Sequence, residues 1–200
     1  MFWAGDVLGI PATIGAAWTL AASLLLTGGL HEDGLADTAD GFGGGNTPAR
    51  KLEIMRDSRI GSYGALALML SLGIRGASVA ALRQPEAVFA ALVAAGALGR
   101  GALIGLLCLL RPVRQDGLGA SLGRIRPLAC AAGLALAIGC AMAPGGACGL
   151  AAITTASFST LIVAALAWRQ IGGYTGDVLG AGEQVVECVV LTILAGLASR

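Results

Sequence analysis

Charge is what this chain has least of. Of its 200 residues only 12% are Asp, Glu, Lys or Arg, aromatic residues make up 4%, and there is one histidine, His31, and one lysine, Lys51. A soluble domain of this length needs more polar surface than that, which argues against a water-soluble fold. The formal net charge is +1, so there is no basic excess to hold nucleic acid and no polybasic lipid anchor. The start lacks a positive n-region as well. Asp6 precedes the first long apolar run and no Lys or Arg does, so that run reads as a retained helix rather than a secretory signal. The five cysteines (Cys108, Cys130, Cys140, Cys148, Cys188) lie in or beside apolar segments without paired metal spacing, and read as small packing residues rather than disulfides.

What is present is apolar length. Mean hydropathy is +0.80, and a helix needs about 20 mostly apolar residues to cross a bilayer. Six segments approach this: 8–30, 61–82, 87–110, 127–143, 149–168 and 185–199. Soluble helices would each need a polar face, yet 127–143 and 149–168 contain no charge at all. The expected fold is all-α, a polytopic membrane bundle of about six transmembrane helices forming one domain over residues 1–200. The 32 glycines suit close helix packing, and a homo-oligomer is compatible with it. On this map Arg50, Lys51, Arg56 and Arg59 fall in the loop 31–60, Arg111, Arg114, Arg124 and Arg126 in 111–126, and Arg169 in 169–184. The opposite side collects only Arg83 and Arg200. The positive-inside tendency makes the three basic loops cytoplasmic.

The densest polar stretch, GGLHEDGLADTADGFGGG at 28–45, follows the first apolar run directly. As a helix, 31–41 places Asp33, Asp37 and Asp40 on one face at i, i+4 and i+7, with Glu32 pointing elsewhere. Stacked like charges repel, so the cluster calls for a cation, and Mg²⁺ or Mn²⁺ suits carboxylate oxygens completed by substrate phosphates. The glycines at 41 and 43–45 are expected to stop that helix, and Thr47-Pro48 to cap and open an amphipathic one. Asp57, among arginines and just before Gly61, is placed to face the cluster as a further ligand or base. A diphosphate would fit between carboxylates holding metal and the basic residues Arg50, Lys51, Arg56 and Arg59.

TGGLHEDGLADTADG followed by LEIMRDSRIGSYG closely resembles the cobalamin synthases, the adenosylcobinamide-GDP ribazoletransferases. The likeness recurs in RQIGGYTGDVLGAGEQVVE near the C-terminus and, more weakly, at Gly99-Arg100 and DGLGASLG, covering about residues 23–190. Ahead of this point the family carries a Pro-rich segment and part of a membrane helix that this sequence does not show. The resemblance implies a divalent-metal enzyme of the bacterial cytoplasmic membrane with its site facing the cytoplasm. In that reaction a hydroxyl of α-ribazole or its phosphate attacks the diphosphate of adenosylcobinamide-GDP and GMP leaves. It implies roles for Asp177, Glu187 and Arg100, whereas Glu183 does not align with the pattern. His31, beside the cluster, is a candidate acid, base or phosphate donor. Arg75 and Arg100 lie in apolar segments, where a charge needs a partner.

Two other readings stay open on residues alone. DTADG at 37–41 matches the opening of the CDP-alcohol phosphotransferase motif, D-x-x-D-G-x-x-A-R, but Phe42, Gly43 and Gly44 break its continuation. A small transporter would use the acids with Arg75 or Arg100 as an ion path, and would place charges at mid-membrane depth on several helices.

Overall fold

In a computed structural model, residues 1–114 and 126–199 are described. They are helical, with one isolated bridge between Pro112 and Tyr174. In chain order the described helices are α1 (Phe2–Val7), α2 (Ala12–Thr27), α3 (Leu30–Gly44), α4 (Pro48–Ile54), α5 (Ser62–Leu82), α6 (Pro85–Leu109), α7 (Pro127–Ala141), α8 (Gly146–Ile171) and α9 (Gly176–Ala198). The all-α polytopic expectation holds. The count differs from six: four helices, α5, α6, α8 and α9, are long and apolar enough to cross a membrane alone, or up to five spans if α2 and α3 count as one.

The differences have local causes. Gly28 and Gly29 both take left-handed backbone, with φ of 67° and 68°, which L side chains rarely adopt. The chain therefore turns by 91° between α2 and α3 instead of running straight through. Segment 127–143 becomes α7, 15 residues between Pro127 and the Met142 cap, about 22 Å of helix against a hydrocarbon core of about 30 Å. The last segment extends the other way. Thr175 accepts from Val178 N–H as N-cap, so α9 starts at Gly176 and brings Glu183, Gln184 and Glu187 inside a helix.

α9 is the axis of the bundle: 67% of its span is buried, against 28–33% for α5, α6 and α8. It packs against α3, α5, α6 and α8. Its core is made of small and β-branched side chains, with Val178, Val186, Val190 and Leu191 fully enclosed. The outward faces are large and apolar, including Leu25, Leu26, Leu70, Phe89, Leu128, Phe158 and Trp168. That surface would associate in water and is what lipid requires.

The three basic loops do meet at one end. Val113 N–H donates to Tyr174 O at 3.0 Å and Tyr174 N–H to Arg111 O at 2.9 Å. Arg114 Nη2 donates to Leu52 O at 2.6 Å, and the Lys51 ammonium donates to the Gln170 side chain. Arg124 and the DGLGASLG segment lie outside the described residues.

Candidate active site

The site is assembled where α3 crosses α9. A Cβ on Gly34 would stand 2.8 Å from Asp177 O and 3.2 Å from Gly180 Cα, so only glycine lets the two backbones come this close. The crossing sets His31 and Asp33 of α3 beside Asp177 and Glu183 of α9. α3 is one continuous helix, so Asp33, Asp37 and Asp40 keep their i, i+4, i+7 spacing. Gly41 and Gly43 remain helical instead of ending it; Gly45 is the C-cap. Thr47 caps α4 by accepting from Arg50 N–H at 3.2 Å, with Pro48 in the first turn.

The three aspartates do different things. Asp33 is exposed and Asp37 half-buried. Asp40 is buried, and its carboxylate accepts from Gly61 N–H at 2.7 Å and Gly64 N–H at 2.9 Å. It thereby satisfies the open N-terminus of α5 from another helix. Asp40→Ala leaves those donors unpaired, and we expect a loss of about 1–3 kcal/mol. Thermal unfolding in detergent would read this as a lowered midpoint.

Asp33, Asp40 and Asp177 all repel the Asp37 carboxylate, and Arg114 offsets part of this. Arg114 Nη1 lies 3.4 Å from Asp177 Oδ2, which also accepts from the Thr175 hydroxyl at 3.1 Å. Carboxylates crowded with so little positive charge have the donor chemistry of a Mg²⁺ or Mn²⁺ site. Among the described residues no three acidic, His or Cys side chains converge closely enough to hold a metal alone. The residues thus fit a partial site, one that substrate phosphate and water oxygens would have to complete.

The basic residues of 50–59 are spread around the rim. Arg50 pairs with Glu53 at 2.7 Å and Lys51 reaches Gln170. Arg56 follows the short α4 and is exposed. Asp57 is bound by Arg59 through Nε and Nη2, at 3.0 and 2.7 Å to its two oxygens, and these hydrogen bonds hold its carboxyl down at about 2. Asp57 and Asp40 line a cleft of about 460 Å³ with Arg59 and Tyr63. Asp33 and Asp177 line a separate cavity.

Behind the aspartates lies an ion network that the sequence shows only in part. Arg75, 2% exposed, bridges Glu32 at 2.9 Å and Glu187 at 3.0 Å. Arg100 Nη1 lies 2.5 Å from Glu183 and 3.0 Å from Glu187. His31 Nδ1 sits 3.3 Å from Glu183 Oε2. Gln184 links the halves, donating to Glu32 at 3.1 Å and Glu183 at 3.0 Å while accepting from Ser71 at 3.0 Å. Sequence reasoning found Arg75, Arg100 and Glu187 but passed over Glu32 and Glu183. The available signal was charge matching: two arginines in apolar helices need two negative charges at similar depth, and Glu187, which touches both, supplies one.

The comparisons with known proteins agree with these motifs. Residues 1–195 match the model of the family described as cobalamin-5-phosphate synthase. A protein of Bradyrhizobium diazoefficiens named adenosylcobinamide-GDP ribazoletransferase is 49% identical over 193 residues, covering 94% of this chain and 73% of that protein. Proteins of the same name from Mesorhizobium japonicum and Shewanella amazonensis are 44% and 40% identical, covering 96% and 95% of this chain and 74% and 75% of theirs. No solved structure matches. With residues 1–195 matched in this way, the chain belongs to the cobalamin-5-phosphate synthase family.

Proposed function

We propose that the chain is an adenosylcobinamide-GDP ribazoletransferase of the bacterial cytoplasmic membrane, with the α3–α9 crossing as its active site. The observation that carries the site is the juxtaposition of Asp33, Asp37 and Asp177 with Arg114 at the end of the bundle where the basic loops meet. The positive-inside tendency turns that end to the cytoplasm, where a nucleotide-activated donor would be met.

In the reaction, a hydroxyl oxygen of α-ribazole or its 5'-phosphate forms a bond to the phosphorus on the cobinamide side of the diphosphate. The bond from that phosphorus to the GMP oxygen breaks, and the hydroxyl proton passes to a base. Asp33 and Asp37, with Asp177, are the residues that would hold Mg²⁺ or Mn²⁺, which supplies charge neutralisation to the diphosphate when bound. Arg114 neutralises further phosphate charge, as do Arg50, Lys51, Arg56 and Arg59 at the rim. His31 is the base this site offers, with Glu183 Oε2 at 3.3 Å from its Nδ1 to set the ring. Glu32, Arg75, Glu187 and Arg100 act as positioning residues, fixing α3, α5, α6 and α9 against one another.

The test is GMP release by membranes containing the chain, given adenosylcobinamide-GDP and α-ribazole phosphate, with CDP-alcohol turnover measured in parallel. Release of GMP without CDP-alcohol turnover supports the reading. CDP-alcohol turnover alone would transfer it to phospholipid synthesis. Glu183→Ala should lower kcat about 10–100-fold with both KM values within about twofold, and Glu183→Gln, which keeps a hydrogen-bonding group beside Nδ1, should recover part of the loss. Equal losses in the two variants would assign Glu183 to packing only.

A further inference from the structure

The site has two kinds of surface, and the second is not needed to hold a diphosphate. Between α3, α6 and α9 lies a cavity of about 400 Å³. Arg100, Leu103, Ile104 and Leu107 line it from α6, at helix-face spacing that makes the wall about 10 Å deep. Its opposite margin is polar, with His31, Asp33 and Asp177. The cavity is thus an apolar slot whose polar edge is shared with the carboxylate site.

We propose, on the reading above, that this slot receives the acceptor nucleoside, its base against Leu103, Ile104 and Leu107 and its ribose toward His31. Three arguments select this occupant. The volume lies near the lower end of small-molecule sites, about 300–1,000 Å³, which suits a nucleoside and is far too small for a corrin macrocycle. The stretch of that wall from Leu103 to Leu107 offers no side-chain hydrogen-bond partners, so guanine would leave its amide and amino groups unpaired against it. A dimethylbenzimidazole base has almost no such groups and matches the wall. Finally, Glu183 engages His31 Nδ1, so the opposite ring nitrogen, Nε2, is the one a ribose hydroxyl can meet. The two substrates are then sorted by polarity: diphosphate and guanosine outside along the acidic and basic rim, the apolar base inside.

Calorimetric titration of α-ribazole into the detergent-solubilised chain, without donor or metal, tests the assignment apart from turnover. Leu107→Trp and Ile104→Trp, which fill the slot, should weaken α-ribazole binding at least about tenfold. In turnover they should raise its KM while leaving the KM for adenosylcobinamide-GDP within about twofold. Leu107→Ala, which enlarges the slot, should improve binding of a riboside with a bulkier benzimidazole relative to α-ribazole, and it covers the case in which the tryptophan variants do not fold. Unchanged α-ribazole binding in folded tryptophan variants, no binding by the unmodified chain, or a rise in the donor KM instead would each overturn the assignment. Failure of GMP release with intact α-ribazole binding would instead overturn the transferase reading.

Discussion

Asp37→Asn is expected to cut GMP release about 10²–10³-fold while leaving the protein as stable as before or slightly more so. The first half follows from the loss of a charged oxygen from the group that would hold metal and diphosphate, where transition-state charge is stabilised. The second follows from the surroundings of the side chain. Asp37 is repelled by Asp33, Asp40 and Asp177, with Arg114 as partial compensation, so neutralising it relieves like-charge strain. A packing residue would behave in the opposite way, losing stability first and activity only in consequence. The pair of measurements is the rate of GMP release and the thermal midpoint in detergent. Lower activity with a lowered midpoint would place Asp37 among the structural residues. Asp40→Ala is the internal contrast, because its carboxylate already serves α5.

Arg75→Leu carries the largest expected effect on folding, about 3–5 kcal/mol. The guanidinium is enclosed between two carboxylates on different helices, Glu32 of α3 and Glu187 of α9, and its removal strands Glu32 in an apolar interior and leaves Glu187 with Arg100 alone. The network already runs close to its limit of satisfaction: among the described residues Glu32 Oε2 and Arg75 Nε are buried without a hydrogen-bond partner. Arg75→Lys should fail nearly as badly, since the two acids on different helices are reached by two separate guanidinium nitrogens, Nη1 and Nη2, and an ammonium offers a single point of charge. Combining Arg75→Leu with Glu32→Gln removes the stranded charge and should recover part of the loss. Accumulation in membranes and the thermal midpoint of each variant decide this. A wild-type midpoint for Arg75→Leu alone would mean that the network contributes nothing to holding α3 in place.

How far the sequence could be read depended on whether the information was local. The spacing of Asp33, Asp37 and Asp40, the Thr47-Pro48 start and the gathering of the basic loops at one end all depend on near neighbours or on composition, and the structure shows each of them. The division of labour among the acids is a tertiary property. Nothing in the spacing says that Asp40 turns to the backbone of Gly61 and Gly64, or that Asp57 is engaged by Arg59. Glu183 was legible only through its partners, because its enclosure depends on α9 beginning at Gly176 and on Gly34 and Gly180 allowing α3 to lie against it. The 91° turn at Gly28-Gly29 was hidden for a related reason: apolar periodicity continues across it, while the direction of the chain does not.

The central claim, that the carboxylates at the α3–α9 crossing hold a divalent cation together with a diphosphate, is tested most directly by counting bound Mn²⁺. Electron paramagnetic resonance on the solubilised protein, with and without GDP, measures this independently of turnover. The expected result is Mn²⁺ bound more tightly when GDP is present, and lost in an Asp33→Asn, Asp37→Asn double variant that keeps its thermal midpoint. Equal Mn²⁺ binding by the double variant and the unmodified chain would contradict the claim.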